Sequence, residues 1–147
     1  MAAKRTAYSL AEMIVVVLIL GVLTLIAIPR LNFAAMYHKQ ANAIAKKIVT
    51  DLRRTRTLAI ANAANNTTGF TLSVSGSGYQ IIDDSNSATV DSQTIDSQIT
   101  CGGGTVFSFG PLGNLRAGAT PITVSYEGKT YTITVISATG IVQCAGG

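Results

Sequence analysis

The chain has 147 residues, a net charge of +4, 48% hydrophobic and only 12% charged residues, one histidine and two cysteines. That length leaves room for one globular domain plus an anchor. A lone histidine argues against a His-based zinc site or a Ser-His-Asp triad, and two cysteines permit at most one intramolecular bridge.

The first predicted element is apolar. From Tyr8 to Ile28 run 21 residues in which Glu12 is the only charge. As a helix this segment would measure ~31 Å, matching the ~30 Å hydrocarbon core of a bilayer, so composition predicts a transmembrane helix. Lys4 and Arg5 precede it and orient it, leaving the Arg30 side outside. An ordinary signal peptide fits less well, because its apolar region would be only about 7–15 residues and end at a small-residue cleavage site. Glu12 costs roughly 2.5–3.5 kcal/mol in such a span and needs a partner, yet no cationic side chain lies within the run. Gly21 and Pro29 weaken the helix, the first by ~1 kcal/mol against alanine, the second by removing a backbone donor. Between them VLTLIAI is rich in β-branched residues.

Beyond Leu31 the helical period persists. Ala34, Ala41, Ile44, Ile48, Leu52, Thr55 and Ala59 recur three, four or seven apart, with Ala45 and Val49 beside them. This amphipathic stripe predicts one continuous helix from Tyr8 to about Ala63, ~84 Å long. Lys39, Lys46, Lys47, Arg53, Arg54 and Arg56 occupy the opposite face. Between Arg30 and Arg56 there are seven Lys/Arg against one acid, Asp51; beyond Arg56 only Arg116 and Lys129 face five acids. The stem is therefore basic and the head mildly acidic. A basic stem could serve nucleic acid, but a solvated helix face, or contacts with lipid headgroups and acidic neighbours, is the simpler reading.

The remainder alternates as strands do. Gly69–Ser75 and Tyr79–Ile82 read as a hairpin across Ser-Gly-Ser-Gly. Residues 83–98 read as a loop or weak edge strand, and residues 111–119 as a loop. Val106–Phe109 is a strand, Ile122–Glu127 and Lys129–Ile136 alternate strictly around Gly128, and Gly140–Gln143 is a last short strand. The predicted fold class is α+β: a long N-terminal α-helix, transmembrane in its first half, packed on an antiparallel β-sheet head. Asp84-Ser-Asn-Ser-Ala lacks the glycine and terminal glutamate of a calcium loop, and no P-loop or Rossmann fingerprint occurs.

The order Ala7-Tyr8-Ser9-Leu10-Ala11-Glu12, followed by an apolar run with Gly21 and ending in Pro29, resembles the leader and N-terminal helix of type IV pilins and type II secretion pseudopilins. Counted from Tyr8, Glu12 is fifth, Gly21 fourteenth and Pro29 twenty-second, the family's usual positions; Ala7 stands for its usual glycine and Tyr8 for its phenylalanine. Lys47–Ala61, with Asp51-Leu52 and then Arg56, Ala59 and Ile60, is similar to minor pseudopilin H and related minor pilins. So is residues 106–142, with Phe-Gly-Pro-Leu-Gly and Thr-Gly-Ile-Val.

The resemblance implies a division into leader 1–7, transmembrane and assembly helix 8–29, and a pilin-like head 30–147, in which an amphipathic helix 30–63 meets a sheet over 68–143. It implies cleavage between Ala7 and Tyr8 by prepilin peptidase, N-methylation of Tyr8, and pairing of Glu12 with the Tyr8 ammonium of a neighbouring subunit as the register of assembly. Implied partners are other pilin or pseudopilin subunits, prepilin peptidase, an inner-membrane assembly platform, and membrane lipid before assembly. No cofactor, metal or catalytic set is implied. The implied location is the bacterial inner membrane, single-pass with the head in the periplasm, and afterwards a filament. A major pilin is the alternative; a DNA-uptake minor pilin is disfavoured, as is nucleic acid in general, by the net acidic head. In an exported head Cys101 and Cys144, 43 positions apart, could close a bridge worth ~4 kcal/mol; two separate thiols are the alternative.

Overall fold

The computed structural model describes residues 9–27, 33–118 and 120–146. The chain divides into two compact units, residues 1–33 and 34–147.

In the first unit α1 (Leu10–Ala27) is an 18-residue helix. Ser9 begins it: the Glu12 N–H donates to Ser9 Oγ at 3.2 Å, and the Glu12 and Met13 N–H groups donate to the Ser9 carbonyl. This is the geometry of an N-cap residue, whose side chain satisfies a donor that the first turn leaves free. Gly21 does not interrupt the helix, and the Thr24 hydroxyl donates back to the Leu20 and Gly21 carbonyls, both at 2.8 Å. As described, α1 ends at Ala27.

These bounds correct the expected architecture. The single helix from Tyr8 to about Ala63 is replaced by two, α1 and α2 (Phe33–Ala61). Among the described residues no helix is long and apolar enough to cross a membrane. The described α1 has 18 residues and spans ~27 Å, against the ~30 Å of the hydrocarbon core. The expectation rested on counting 21 apolar residues as helix. The transmembrane first half, and with it the single-pass location in a bacterial inner membrane, are overturned by this finding. The long N-terminal helix lying on one sheet is overturned likewise: the described residues form two helices and nine strands in two sheets.

The second unit is built around α2. Ala41, Ala45, Ile48, Leu52, Thr55 and Ala59 are all fully buried and Val49 nearly so; their spacing of three and four puts them on one helix face. All of these but Thr55 share one hydrophobic core with both sheets. The first sheet has the order β3-β2-β1-β5-β6 and the second β4-β7-β8-β9, with every neighbouring pair antiparallel.

In the first sheet β1 (Phe70–Ser75) buries Phe70, Leu72 and Val74, and pairs with β2 (Gly78–Asp83) and with β5 (Val106–Phe109). β2 brings Tyr79 and Ile81 to the core, and β5 brings Phe107 and Phe109. The outer strands are β3 (Ala88–Thr94), exposed along most of its length, and the three-residue β6 (Leu115–Ala117). In the second sheet β7 (Ile122–Tyr126) and β8 (Lys129–Ile136) alternate as read from sequence. Ile122, Val124, Tyr131, Ile133 and Val135 point inward, and the threonines between them are half-buried or exposed. They meet at Glu127 and Gly128, both with positive φ (43° and 81°), the backbone of a type I′ hairpin turn. β4 (Thr100–Gly103) and β9 (Ile141–Gly146) are the edges of this sheet. The strands β3, β4 and β6 form inside or beside stretches that lack a strong strand pattern.

Candidate functional site

Two places bring together the residues singled out in the sequence. The first is α1. Leu10, Met13, Ile14, Val17 and Leu18 make one apolar face along its first turns, and by the 100° step of a helix Glu12 lies roughly opposite. The side chains described from Leu10 to Ile26 are all exposed. Among the described residues Glu12 makes no ion pair. Its position three residues after Ser9 is that of a capping box, and its charge lies at the positive end of the helix dipole. That local role was present in the spacing Ser9-Leu10-Ala11-Glu12. Ala7, Tyr8 and Pro29 lie outside the described residues.

The second place is the basic face of α2, which is exposed as expected except at the half-buried Arg56, and whose arginines also reach the head. Arg53 donates from Nη2 to the Val142 carbonyl on β9 at 3.2 Å. Arg54 pairs with Asp91 on β3 at 2.5 Å. Arg56 donates from Nε to the Gly113 carbonyl at 3.0 Å. Three neighbouring guanidiniums thus reach three different parts of the head, one on each sheet and one on the loop before β6. The Arg54 guanidinium beside Asp91 holds that carboxyl below its usual range, although Asp91 is open to water and the pair is a weak contributor to stability.

Arg56 marks a junction of the three segments that carried the head resemblance. Gly113, from Phe-Gly-Pro-Leu-Gly, has φ +76° and lies under Ile60 and Arg56; Gly140, from Thr-Gly-Ile-Val, has φ +65° and lies against the Gly113 carbonyl. A Cβ built on Gly140 would come within 2.3 Å of that oxygen, so both the backbone angle and the space require glycine. Arg53, Arg56, Thr57, Gly140, Ile141 and Val142 line a shallow cavity of about 280 Å³ beside this junction.

On the other side of α2, Asp51 is buried. Its Oδ2 accepts the Tyr79 hydroxyl at 2.5 Å and the Lys47 ammonium at 3.3 Å. Burial, followed by the Asp51 hydrogen bond and charge, pushes the Tyr79 phenol far up from its ordinary value. His38 stands edge-to-face on Tyr126 at 5.2 Å, with Tyr37 on the same ring at 5.1 Å. Its buried Nδ1 has no hydrogen-bond partner among the described residues.

Cys101 and Cys144 are free thiols, so the expected bridge is corrected. They sit on β4 and β9, at opposite edges of the four-stranded sheet. Three strand spacings separate them by roughly 14 Å, twice the ~7 Å that a disulfide tolerates between Cα atoms. Desolvation raises the Cys101 thiol pKa. Among the described residues there is no cluster of three or more His, Cys, Asp or Glu able to hold a metal ion. No protein-family model, no curated protein and no solved structure matches this chain.

Proposed function

We propose that the chain is a structural subunit of a helical filament of the type IV pilin and type II secretion pseudopilin kind, in the minor-subunit class, and that it assembles through α1. The observation that carries this reading is α1 itself. It is apolar on every side, exposed from Leu10 to Ile26, and interrupted by one carboxylate that makes no ion pair among the described residues. A large exposed apolar surface marks an interaction site, and sister copies of the same helix are the covering that suits it. One heterologous contact repeated without closure produces a helical fibre.

In this reading prepilin peptidase trims the chain between Ala7 and Tyr8, and Glu12 meets the new Tyr8 ammonium of the next subunit. A carboxylate buried among helices without that partner would cost several kcal/mol, which disfavours wrong registers. The apolar face from Leu10 to Leu18 packs on neighbouring helices, and the second unit keeps its own core.

Mass spectrometry of the native N-terminus tests the processing step. A chain beginning with N-methyl-Tyr8 is expected, and one beginning at Met1 would overturn it. Glu12→Gln and Glu12→Ala test the assembly step: the head stays folded and sheared filaments disappear. Normal filaments from either variant would remove the register role. A single dominant band of this protein from sheared filaments would make it the bulk subunit instead.

A further inference from the structure

Two of the cations along α2 meet acids: Lys47 pairs with Asp51, and Arg54 with Asp91. Arg53 and Arg56 line one cavity of about 280 Å³, and neither makes an ion pair among the described residues. Lys39 and Lys46 also lack an acid there, but both stand exposed in water. Arg56 is half-buried, and a charge drawn out of water without a counter-ion is costly.

Both guanidiniums are held at the cavity by the fold. Arg53 donates from Nη2 to the Val142 carbonyl, and Arg56 from Nε to the Gly113 carbonyl. Neither side chain makes another hydrogen bond among the described residues. Each keeps donors in reserve, since a guanidinium carries five N–H groups. Gly140 protects the position of Arg56: a Cβ there would come within 2.9 Å of its Nε and 3.0 Å of its Cδ. Like charges three positions apart on a helix repel. Here contacts with β9 and with the loop before β6 keep them together, and an anion between them would relieve both the repulsion and the burial.

We propose that this cavity binds a small aliphatic carboxylate. A carboxylate accepts two parallel hydrogen bonds from a guanidinium fork, and the arginines offer two forks. Size sets the ligand. The volume of about 280 Å³ falls just under the ~300–1,000 Å³ of ordinary small-molecule sites, which leaves room for a few heavy atoms and excludes a nucleotide. Ile141 and Val142 line the cavity beside the arginines and suit an alkyl body. Phosphate fits less well. Its usual seat is a helix N-terminus with free N–H groups, whereas Arg53, Arg56 and Thr57 lie toward the C-terminal end of α2. The site lies wholly in the second unit and is independent of assembly through α1.

The test uses the full chain in dodecyl maltoside micelles, with its arginines labelled with nitrogen-15 and followed by NMR. Sodium isovalerate is titrated at constant ionic strength, with sodium phosphate and sodium chloride as separate arms. Isovalerate should shift the Nε–H signals of Arg53 and Arg56 together and saturably, and chloride should not. Three variants separate a built site from a positive surface. Arg53→Gln removes one fork. Thr57→Phe fills the cavity from its exposed rim and keeps both charges. Lys46→Gln removes one charge from the exposed face of the same helix. The first two should weaken isovalerate binding by about tenfold or more, and the third should leave it unchanged.

Absence of a saturable shift with isovalerate would overturn the proposal. Equal weakening by Lys46→Gln would overturn it too, because general attraction to positive charge would then account for the binding. Phosphate binding tighter than isovalerate would also overturn it, by making the site one for inorganic oxyanions.

Discussion

Tyr79 of β2 donates its hydroxyl to Asp51 of α2 across 2.5 Å, and both residues are buried, at 5% and 4% exposure. The contact ties the helix to the first sheet with a charge-assisted hydrogen bond. Asp51 also accepts from Lys47 one helical turn earlier. Removing the carboxylate by Asp51→Ala leaves a buried phenol without its acceptor, at a cost of about 1.5–3 kcal/mol. Urea unfolding followed by circular dichroism measures this as a lower midpoint at unchanged slope.

The same pair sets a pH dependence. Burial first, then the Asp51 carboxylate, raise the Tyr79 phenol above its ordinary 10.0, so the folded state keeps a proton that the unfolded chain releases. The contribution is fully present below pH ~10 and declines as pH rises above it, by up to ~1.4 kcal/mol per pH unit for this one group. Tyr79→Phe removes that alkaline slope. Denaturation midpoints compared between the two proteins from pH 9 to 11.5 isolate it from other titrating groups.

Gly140→Ala places a methyl where the Gly113 carbonyl stands and holds alanine at φ +65°. The expected cost is about 1–3 kcal/mol. The turn into β9 and the Arg56 contact loosen together, so hydrogen exchange should rise at residues 113–115 and 140–142 while β1 and β2 stay protected. Uniform loss of protection would show that the junction is not local.

Ser9 and Glu12 separate helix capping from charge. Ser9→Ala removes the oxygen that caps Glu12 N–H and lowers helix stability by about 1 kcal/mol, while keeping the carboxylate. Glu12→Gln keeps the cap and removes the charge. If α1 acts through the charge, filament yield falls with Glu12→Gln and persists with Ser9→Ala. The opposite order would mean that folding of the first turn is what matters.

With both thiols free, dithiothreitol should leave the thermal midpoint unchanged. Cys144 is exposed, whereas Cys101 is half-buried with its thiol pKa raised by desolvation. At pH 8 in dilute protein, Cys144 should react with a thiol reagent at least about tenfold faster. Equal rates would place Cys101 in a more open setting than the second sheet provides.

The buried stripe of α2 and the alternation of β7 and β8 were legible because each rests on a local period that the core enforces. Ile48, Leu52 and Ala59 are fully buried, and so are Ile122, Val124 and Ile133. The break between α1 and α2 was less legible, since no glycine interrupts the run from Leu31 to Ala63 and Pro29 alone signals it. β3 and β4 were hidden for another reason. Their residues are polar or glycine, and they are strands because β2 and β7 offer partners, a non-local cause that propensity does not carry. Arg53, Arg54 and Arg56 have the composition of a solvated face; only the fold shows that their long side chains turn back onto the head. The lateral separation of Cys101 and Cys144 is a matter of strand order, which spacing along the chain does not encode.

Those three arginines have a mechanical consequence. Arg53 holds β9 of one sheet, Arg54 holds β3 of the other, and Arg56 holds the loop before β6. Tension applied along α2 is therefore divided between both sheets within a single turn of helix. Sliding the helix requires these contacts to yield together with its buried stripe, rather than one after another. A pull on this unit should meet a single rupture force, set by the buried stripe together with Arg53 and Arg56, before any strand peels from its neighbour.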